Sequence, residues 1–458
     1  MIWLSSGRAL YDSNMRDMTT GPAHSHLWRY ALPLLIGNWL QLTYNAADSI
    51  IAGRFIGRDA LAAEGIAGPI MNLVIHAVTG MCIGVGVLMS EAFGAKDFDR
   101  LRKTFASAIR LGALLCCLAA VPGIVFAPAI LQLLAVPQDI YGITTVYLRI
   151  TFLGMPFTFF YNTLAAGLKS VGDSKTPLKF LAFSAVLNAV LDLIFLGLLG
   201  FGIVCSAVTT VIAEAASALL AAGYMVRRFP ELCPRRDDWR GDRSLLARIV
   251  WYAAPTALQQ TVQPVGKVLI QGQINLLGVN VIAAFNAVTR FDDFACIPEQ
   301  SIASAISTYT AQNRGAEKTG RIRPGFRAGI RLEVLYWIFI CSPTFLLRAP
   351  AVSMFVAGEG FDEIVALGSQ YLGYMAFFYI FPGLTNGFQG FFRGMGKMYT
   401  TIVGTFIQVS LRTAFTALLA PRMGMVGVAF SCAIGWSCML LFEIPYYFFT
   451  CKKKGIPQ

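Results

Sequence analysis

Charge is scarce in this chain: 14% of its 458 residues are Asp, Glu, Lys or Arg, whereas 56% are hydrophobic. With a mean hydropathy of +0.61, this balance excludes an ordinary soluble domain. Histidine is scarcer still, and His24, His26 and His76 are too few and too separated for a metal site. The ten cysteines include the neighbours Cys116 and Cys117 but form no CxxC or Cys/His spacing. Scattered through apolar segments, they read as small buried hydrophobes. No cleavable secretory leader is legible, because Met1 to Ser13 is short and mixed, so the first span is expected to act as an uncleaved signal. Met15, followed directly by the helix-entering segment Arg16 to Pro22, is an alternative start. No catalytic cluster or cofactor motif is legible either, and the chain does not read as an enzyme.

Apolar runs are what the chain has in excess. Leu111 to Gln138, Ile150 to Leu168 and Ile364 to Phe392 carry no charge at all. A membrane-crossing helix needs about 20 mostly apolar residues, and a chain of this size cannot bury so many such helices without lipid. Breakers divide the sequence into twelve candidate spans, starting near residues 27, 60, 104, 142, 178, 203, 250, 279, 325, 363, 398 and 424.

The net charge of +12 raises the question of a nucleic-acid partner, but no basic stripe interleaved with aromatics is present. The basic residues fall in short loops instead. Assigned to alternate sides of twelve spans, 26 of them lie on one side and only Arg54, Arg58, Arg348 and Arg422 on the other. That asymmetry places both termini in the cytoplasm and the chain, as a multi-pass protein, in the cell membrane. The expected organisation is a cytoplasmic segment 1–26, a first lobe 27–226, a cytoplasmic linker 227–249, a second lobe 250–450 and a tail 451–458. Within the linker, RSLLARIVWY has the spacing of a helix lying at the membrane interface, and Arg235 to Asp242 reads equally well as a solvated loop.

The two lobes repeat each other. Tyr30, Ala31 and Pro33 fall on Tyr252, Ala253 and Pro255 at a shift of 222, and Gly94, Ala95, Arg100 and Arg102 fall on Gly315, Ala316, Arg321 and Arg323 at 221. Asn162 and Gly172 fall on Asn386 and Gly396 at 224. Six spans per copy is an even number, so both copies insert the same way round. The fold expected is an all-α integral membrane protein with two six-helix bundles related by a pseudo-two-fold axis along the membrane normal, the arrangement of an alternating-access transporter. Pro33 and Pro255 sit inside the first span of each copy and bend it, which makes Pro33 a candidate hinge.

Acids at membrane depth are expensive and mark function. Asp48 in the first span and Asp192 in the fifth each have a polar partner four residues earlier, Tyr44 and Asn188, on the same helical face. The sixth span adds Thr209, Thr210 and Glu214. Packed together, these groups would make a polar pocket for H⁺ or Na⁺, although Asp48 near a span end and Asp192 capping a packing contact is the structural alternative. Glu64, Glu91 and Glu443 are placed near interfaces, and Arg290, Asp292, Asp293 and Glu299 read as an internally paired cluster. The second-copy positions matching Asp48 and Asp192 lie near Ile270 and Ala414 and are apolar, so the ion chemistry is expected in the first lobe alone. Gln41, Asn162, Gln259, Gln263, Met155 and Phe159 are candidates to line a cavity for cationic or amphipathic organic compounds.

RDMTTGP followed by ALPLLIGNWLQLTYNAADSIIAGRFIG, then ALAAEGIAGPI, AFGAKDFDRLRK and LKSVGDSKTPL, resembles the multidrug and toxic compound extrusion (MATE) family from about Arg16 to the last span. The resemblance implies twelve helices in two lobes around a V-shaped cleft, no cofactor, and export by a monomer of cationic or amphipathic compounds against H⁺ or Na⁺. In the branch similar to DinF-type transporters, it implies an ion site at Tyr44, Asp48, Asn188, Asp192 and Thr210. The NorM-like branch carries acids in its seventh and tenth helices, where this sequence has none. A lipid-linked oligosaccharide flippase of the same superfamily is the alternative, for which extra spans or a strongly cationic cavity would be expected.

Overall fold

The computed structural model describes residues 15–55, 58–240, 242–356, 360–453 and 455–456, apart from the side chains of 44–61. Helices dominate: α1 (Ala23–Phe55), α2 (Arg58–Gly94), α3 (Phe98–Leu133), α4 (Gln138–Ser170), α5 (Lys175–Asp192), α6 (Ile203–Arg228) and α7 (Arg243–Ile274) come first. They are followed by α8 (Val279–Cys296), α9 (Glu299–Gly315), α10 (Thr319–Leu346), the short α11 (Arg348–Ser353), α12 (Phe361–Phe378), α13 (Ile380–Gly394) and α14 (Met398–Lys453). Three interruptions convert these into the twelve spans. Pro298, which lacks an N–H, separates α8 from α9. Tyr379 separates α12 from α13 at a bend of 43°. Gly424, at φ 57° and ψ −137°, breaks the 56-residue α14 into two arms, because only glycine adopts that backbone readily.

Several helices turn large apolar side chains outward. Leu118 on α3, Leu219 on α6 and Phe339 on α10 are all more than 60% exposed. Surfaces of this kind are stable against lipid and not against water. Among the described residues, seven helices, α2 to α6, α10 and α14, are each long and apolar enough to cross a membrane, as is the α12–α13 pair taken together.

The internal repeat is carried down to individual backbone bonds. After α2, Lys96 adopts a left-handed φ of 59°, and after α9 its repeat partner Glu317 adopts 57°. The turns close alike: Asp97 N donates to Ala92 O at 3.0 Å and Lys318 N to Asn313 O at 2.9 Å. Gly172 and Gly396 likewise share positive φ values of 86° and 75°.

By internal contacts the chain divides into two units, Met1–Asp17 with Ile36–Ala257, and Met18–Leu35 with Leu258–Gln458. The two cuts after Leu35 and Ala257 are equivalent under the 222-residue shift, each two residues beyond a repeated proline. In unit 1, α4 packs between α2 and α6; in unit 2, α13 packs against both α9 and α14. The opening of α7 lies close on α2, where a Cβ added to Gly84 would stand 2.5 Å from the Tyr252 carbonyl oxygen. In unit 2 the opening of α1 is held by α9: the Tyr30 hydroxyl lies 3.1 Å from Thr308 Oγ1. The segment before α1 is pinned by main-chain bonds, with Met18 N donating to Gln312 Oε1 at 2.9 Å and Asn313 Nδ2 to Met18 O at 3.2 Å.

Two expectations for the linker are corrected. RSLLARIVWY is no separate interfacial helix but the first turns of α7, capped by Asp242, which accepts from the Ser244 amide at 2.8 Å. The Ser244 hydroxyl and amide hold Asp242 below the ordinary carboxylate range, so the cap is present at neutral pH and is lost only as the pH falls into acid. Nor is Arg235 to Asp242 simply solvated. Asp238 is 4% exposed and accepts from Arg102 Nε at 3.2 Å and from the Arg235 amide at 2.8 Å, while Arg110 Nη1 donates to Trp239 O at 2.5 Å. Arg102→Ala would strand a buried carboxylate at a cost of about 3 kcal/mol. Trypsin is then expected to cut between Arg235 and Arg243 faster by on the order of tenfold or more, and an unchanged cleavage rate would count against this anchoring.

Candidate functional site

Unit 1 assembles the fifth- and sixth-span residues singled out by spacing. Asn188 and Asp192 occupy one face of α5 and are 2% and 1% exposed. Immediately after Asp192 the helix widens into a π-helical stretch, Leu193–Leu198, a distortion common where a helix carries a functional side chain. The Thr209 hydroxyl of α6 donates to Asp192 Oδ1, and Asn188 Nδ2 reaches Thr209 Oγ1 at 3.4 Å and Thr210 Oγ1 at 3.3 Å. The Asp192 contact is thus made by Thr209, with Thr210 held at one remove through Asn188. Tyr44 and Asp48 have side chains outside the described residues.

The Thr209 hydroxyl has one hydrogen and two acceptors in reach, Asp192 Oδ1 and, at 2.8 Å, the Ser206 carbonyl. Thr210 Oγ1 also donates to that carbonyl, at 2.9 Å. When Asp192 is an anion the Thr209 hydroxyl can serve it without orphaning Ser206. When Asp192 carries a proton, the carboxyl can donate to Thr209 while Thr209 turns to Ser206. The Thr209 hydroxyl can therefore stay hydrogen-bonded whether the carboxyl is charged or neutral. Glu214, one turn beyond Thr210, accepts instead from Thr158 of α4 at 2.6 Å.

The six cavity candidates separate by burial. Gln41 and Gln263 are exposed, and Asn162 is half-buried with its amide donating to Thr158 O at 2.8 Å. Met155 and Phe159 take core positions, the Phe159 ring lying directly over Gly112 of α3. Gln259 is 2% exposed and donates to Gln389 Oε1 and to Thr405 Oγ1, the latter at 3.2 Å. Pro33 lies within α1, buried.

Unit 2 carries buried acids of its own, although its positions matching Asp48 and Asp192 are apolar. The expected cluster of Arg290, Asp292, Asp293 and Glu299 disperses. Asp292 accepts from Tyr371 at 2.8 Å and Tyr379 at 2.5 Å, Asp293 pairs with Lys267 at 2.6 Å, Arg290 is exposed, and Glu299 sits across the helix break, 1% exposed. Glu443, expected near an interface, is 0% exposed and so is Glu333 of α10, which sequence reasoning passed over. Its signal was present: a single acid inside the ninth apolar run. Among the described residues, no group of three or more His, Cys, Asp or Glu side chains is placed to hold a metal ion.

Comparison with known proteins agrees with this architecture. The MatE family model matches residues 33–194 and again 255–418, two copies in register with the repeat. A probable multidrug resistance protein, YpnP of Bacillus subtilis (strain 168), is 28% identical over 423 residues, covering 90% of this chain and 92% of its own. A second from the same organism, YoeA, is 28% identical over 446 residues, covering 94% and 96%. Among solved structures, an outward-facing multidrug resistance MATE family transporter of the MOP superfamily superposes with a TM-score of 0.91 at 20% identity, covering 97% of this chain and 99% of that one. A duplicated helical unit, buried acids at membrane depth and a family model matched across most of the chain lead to one assignment: the protein belongs to the multidrug and toxic compound extrusion (MATE) family of multi-pass membrane transporters.

Proposed function

We propose that the protein exports cationic or amphipathic organic compounds in exchange for H⁺ or Na⁺, with Asp192 as the described anchor of the coupling site and Asp48 and Tyr44 of α1 completing it. The observation that supports this most is the Thr209 hydroxyl, which can stay hydrogen-bonded as Asp192 gains or loses a positive charge. Cation binding there would reshape the lobe 27–226, with Pro33 as the hinge, and exposed Gln41 and Gln263 are offered as substrate contacts. The transporter acts as a monomer in the cytoplasmic membrane, both termini inside, and has no nucleic-acid partner or catalytic activity.

Proteoliposomes loaded with a fluorescent organic cation test the reading. An imposed inward pH gradient or an inward Na⁺ gradient, applied separately, is expected to accelerate efflux, and the gradient that does so names the coupling ion. Efflux that ignores both would overturn coupled exchange.

A further inference from the structure

Unit 2 contains buried acids with no part in the Asp192 site. Glu299 opens α9, and Glu333 lies midway along α10. A methyl group on Gly383 of α13 would stand 3.6 Å from Glu299 Oε1 and 3.5 Å from Glu333 Oε2. Both carboxylates therefore converge on one small space, in front of a residue that has no side chain to fill it. Asn386, one turn farther along α13, bonds to the Glu299 side chain. Among the described residues, neither Glu333 oxygen nor Glu299 Oε2 has a hydrogen-bonding partner.

Two helix interruptions lie beside this space: Ile297 and Pro298 come directly before Glu299, and Tyr379 comes four residues before Gly383. Broken helices persist at membrane depth where they are buried in protein or line a cavity or an ion site. Other charged and titratable groups surround the pair. On α8, Asp292 is held by Tyr371 and Tyr379 and faces Arg412 of α14, and Asp293 pairs with Lys267. Cys296 ends α8, and the Tyr336 hydroxyl of α10 donates to Ala295 O at 3.0 Å. Arg393 of α13 lies within electrostatic reach of Glu443 of α14, whose two carboxylate oxygens, among the described residues, accept no hydrogen bond. No ion pair reaches Glu299 or Glu333 among the described residues.

Two carboxylates side by side in a dry interior repel each other and have lost their hydration. Their charge must be answered by something small enough to occupy the space before Gly383. We infer that Glu299 and Glu333 form a monovalent-cation site in unit 2, filled by a proton shared between the carboxyls or by an alkali cation, and distinct from the Asp192 site. Neither acid lies in the seventh or tenth span, where the NorM-like branch carries its acids. Only the site's role in transport rests on the reading of cation-coupled export; cation binding does not.

The test uses the purified full-length chain, its Glu299→Gln/Glu333→Gln double variant and Asp192→Asn, each checked for monodispersity and unfolding temperature. Proton uptake is counted by potentiometric titration across about pH 5 to 9, and sodium binding is measured with radioactive Na⁺. If a proton fills the site, the double variant takes up about one proton fewer than the parent; if an alkali cation does, it loses a bound sodium that Asp192→Asn keeps. Glu333→Gln alone reports the same loss should the double variant not fold. A double variant that titrates like the parent and binds as much sodium would overturn the inference. A parent that binds the cation at this pair yet shows no gradient-driven efflux would instead overturn the export reading.

Discussion

Replacing Asp192 by Asn is expected to lower gradient-driven efflux by on the order of a hundredfold, the upper end of the coupling free energies seen between linked sites. The amide oxygen can still accept from Thr209, and its volume matches the carboxyl, so insertion and the unfolding temperature should be unchanged. What disappears is the ability to bind a cation in one conformation more tightly than in the other, which is the only way an ion gradient can bias a two-state transporter. The measurement is dye efflux from proteoliposomes under the gradient that drives the parent protein, together with passive exchange in its absence. Parental rates in the variant would remove Asp192 from the coupling mechanism. Thr209→Val should be milder, because the carboxyl keeps its charge and loses only the donor that changes sides.

Gly390→Val is the second large effect, and it acts on stability. At Gly390 a Cβ would come within 2.4 Å of the Ala303 carbonyl oxygen. That oxygen belongs to the backbone of α9 and cannot swing aside as a side chain would, so α9 and α13 must separate. Overpacking of this kind costs about 3 kcal/mol, equivalent to a fall of roughly 6–12 °C in unfolding midpoint for a unit of about 200 residues. The displaced helices also carry Glu299 and Asn386, so the acid pair should loosen with them. Thermal unfolding in detergent is the check, and a midpoint equal to the parent's would contradict so close an approach.

How much of this could be read beforehand varied from element to element. Helix positions were largely legible, because uninterrupted apolar runs leave little choice of secondary structure, and the span start near 424 coincides with the kink at Gly424. The pairing of Asn188 with Asp192 followed from helical spacing alone. Which of Thr209 and Thr210 would touch Asp192 did not, since that depends on the rotation of α6, set by its packing on α4 and α5. The acids of unit 2 were hidden for a different reason. Looking for counterparts at repeat-matched positions directed attention to Ile270 and Ala414, whereas the second copy places its acids on α9, α10 and α14. Adjacency in sequence suggested that Asp292 and Glu299 belong together, but the break at Ile297 and Pro298 starts a new helix and resets the direction of every side chain after it. Glu443 sits about three turns before the end of α14, deeper than its distance from the basic tail implied.

The position of the two unit cuts sets a timetable for biosynthesis. Met18–Leu35 belongs with residues that begin at Leu258, so the opening of α1 leaves the ribosome long before anything it will pack on. Tyr30 waits for Thr308, 278 residues later, which at roughly 5–20 residues per second is about 15–55 s. Unit 1 is likewise incomplete until Tyr252 and Ala257 have been made. A chain severed in the 227–249 linker would therefore leave each fragment holding the first helix segment that the other needs, and neither fragment could close its bundle alone.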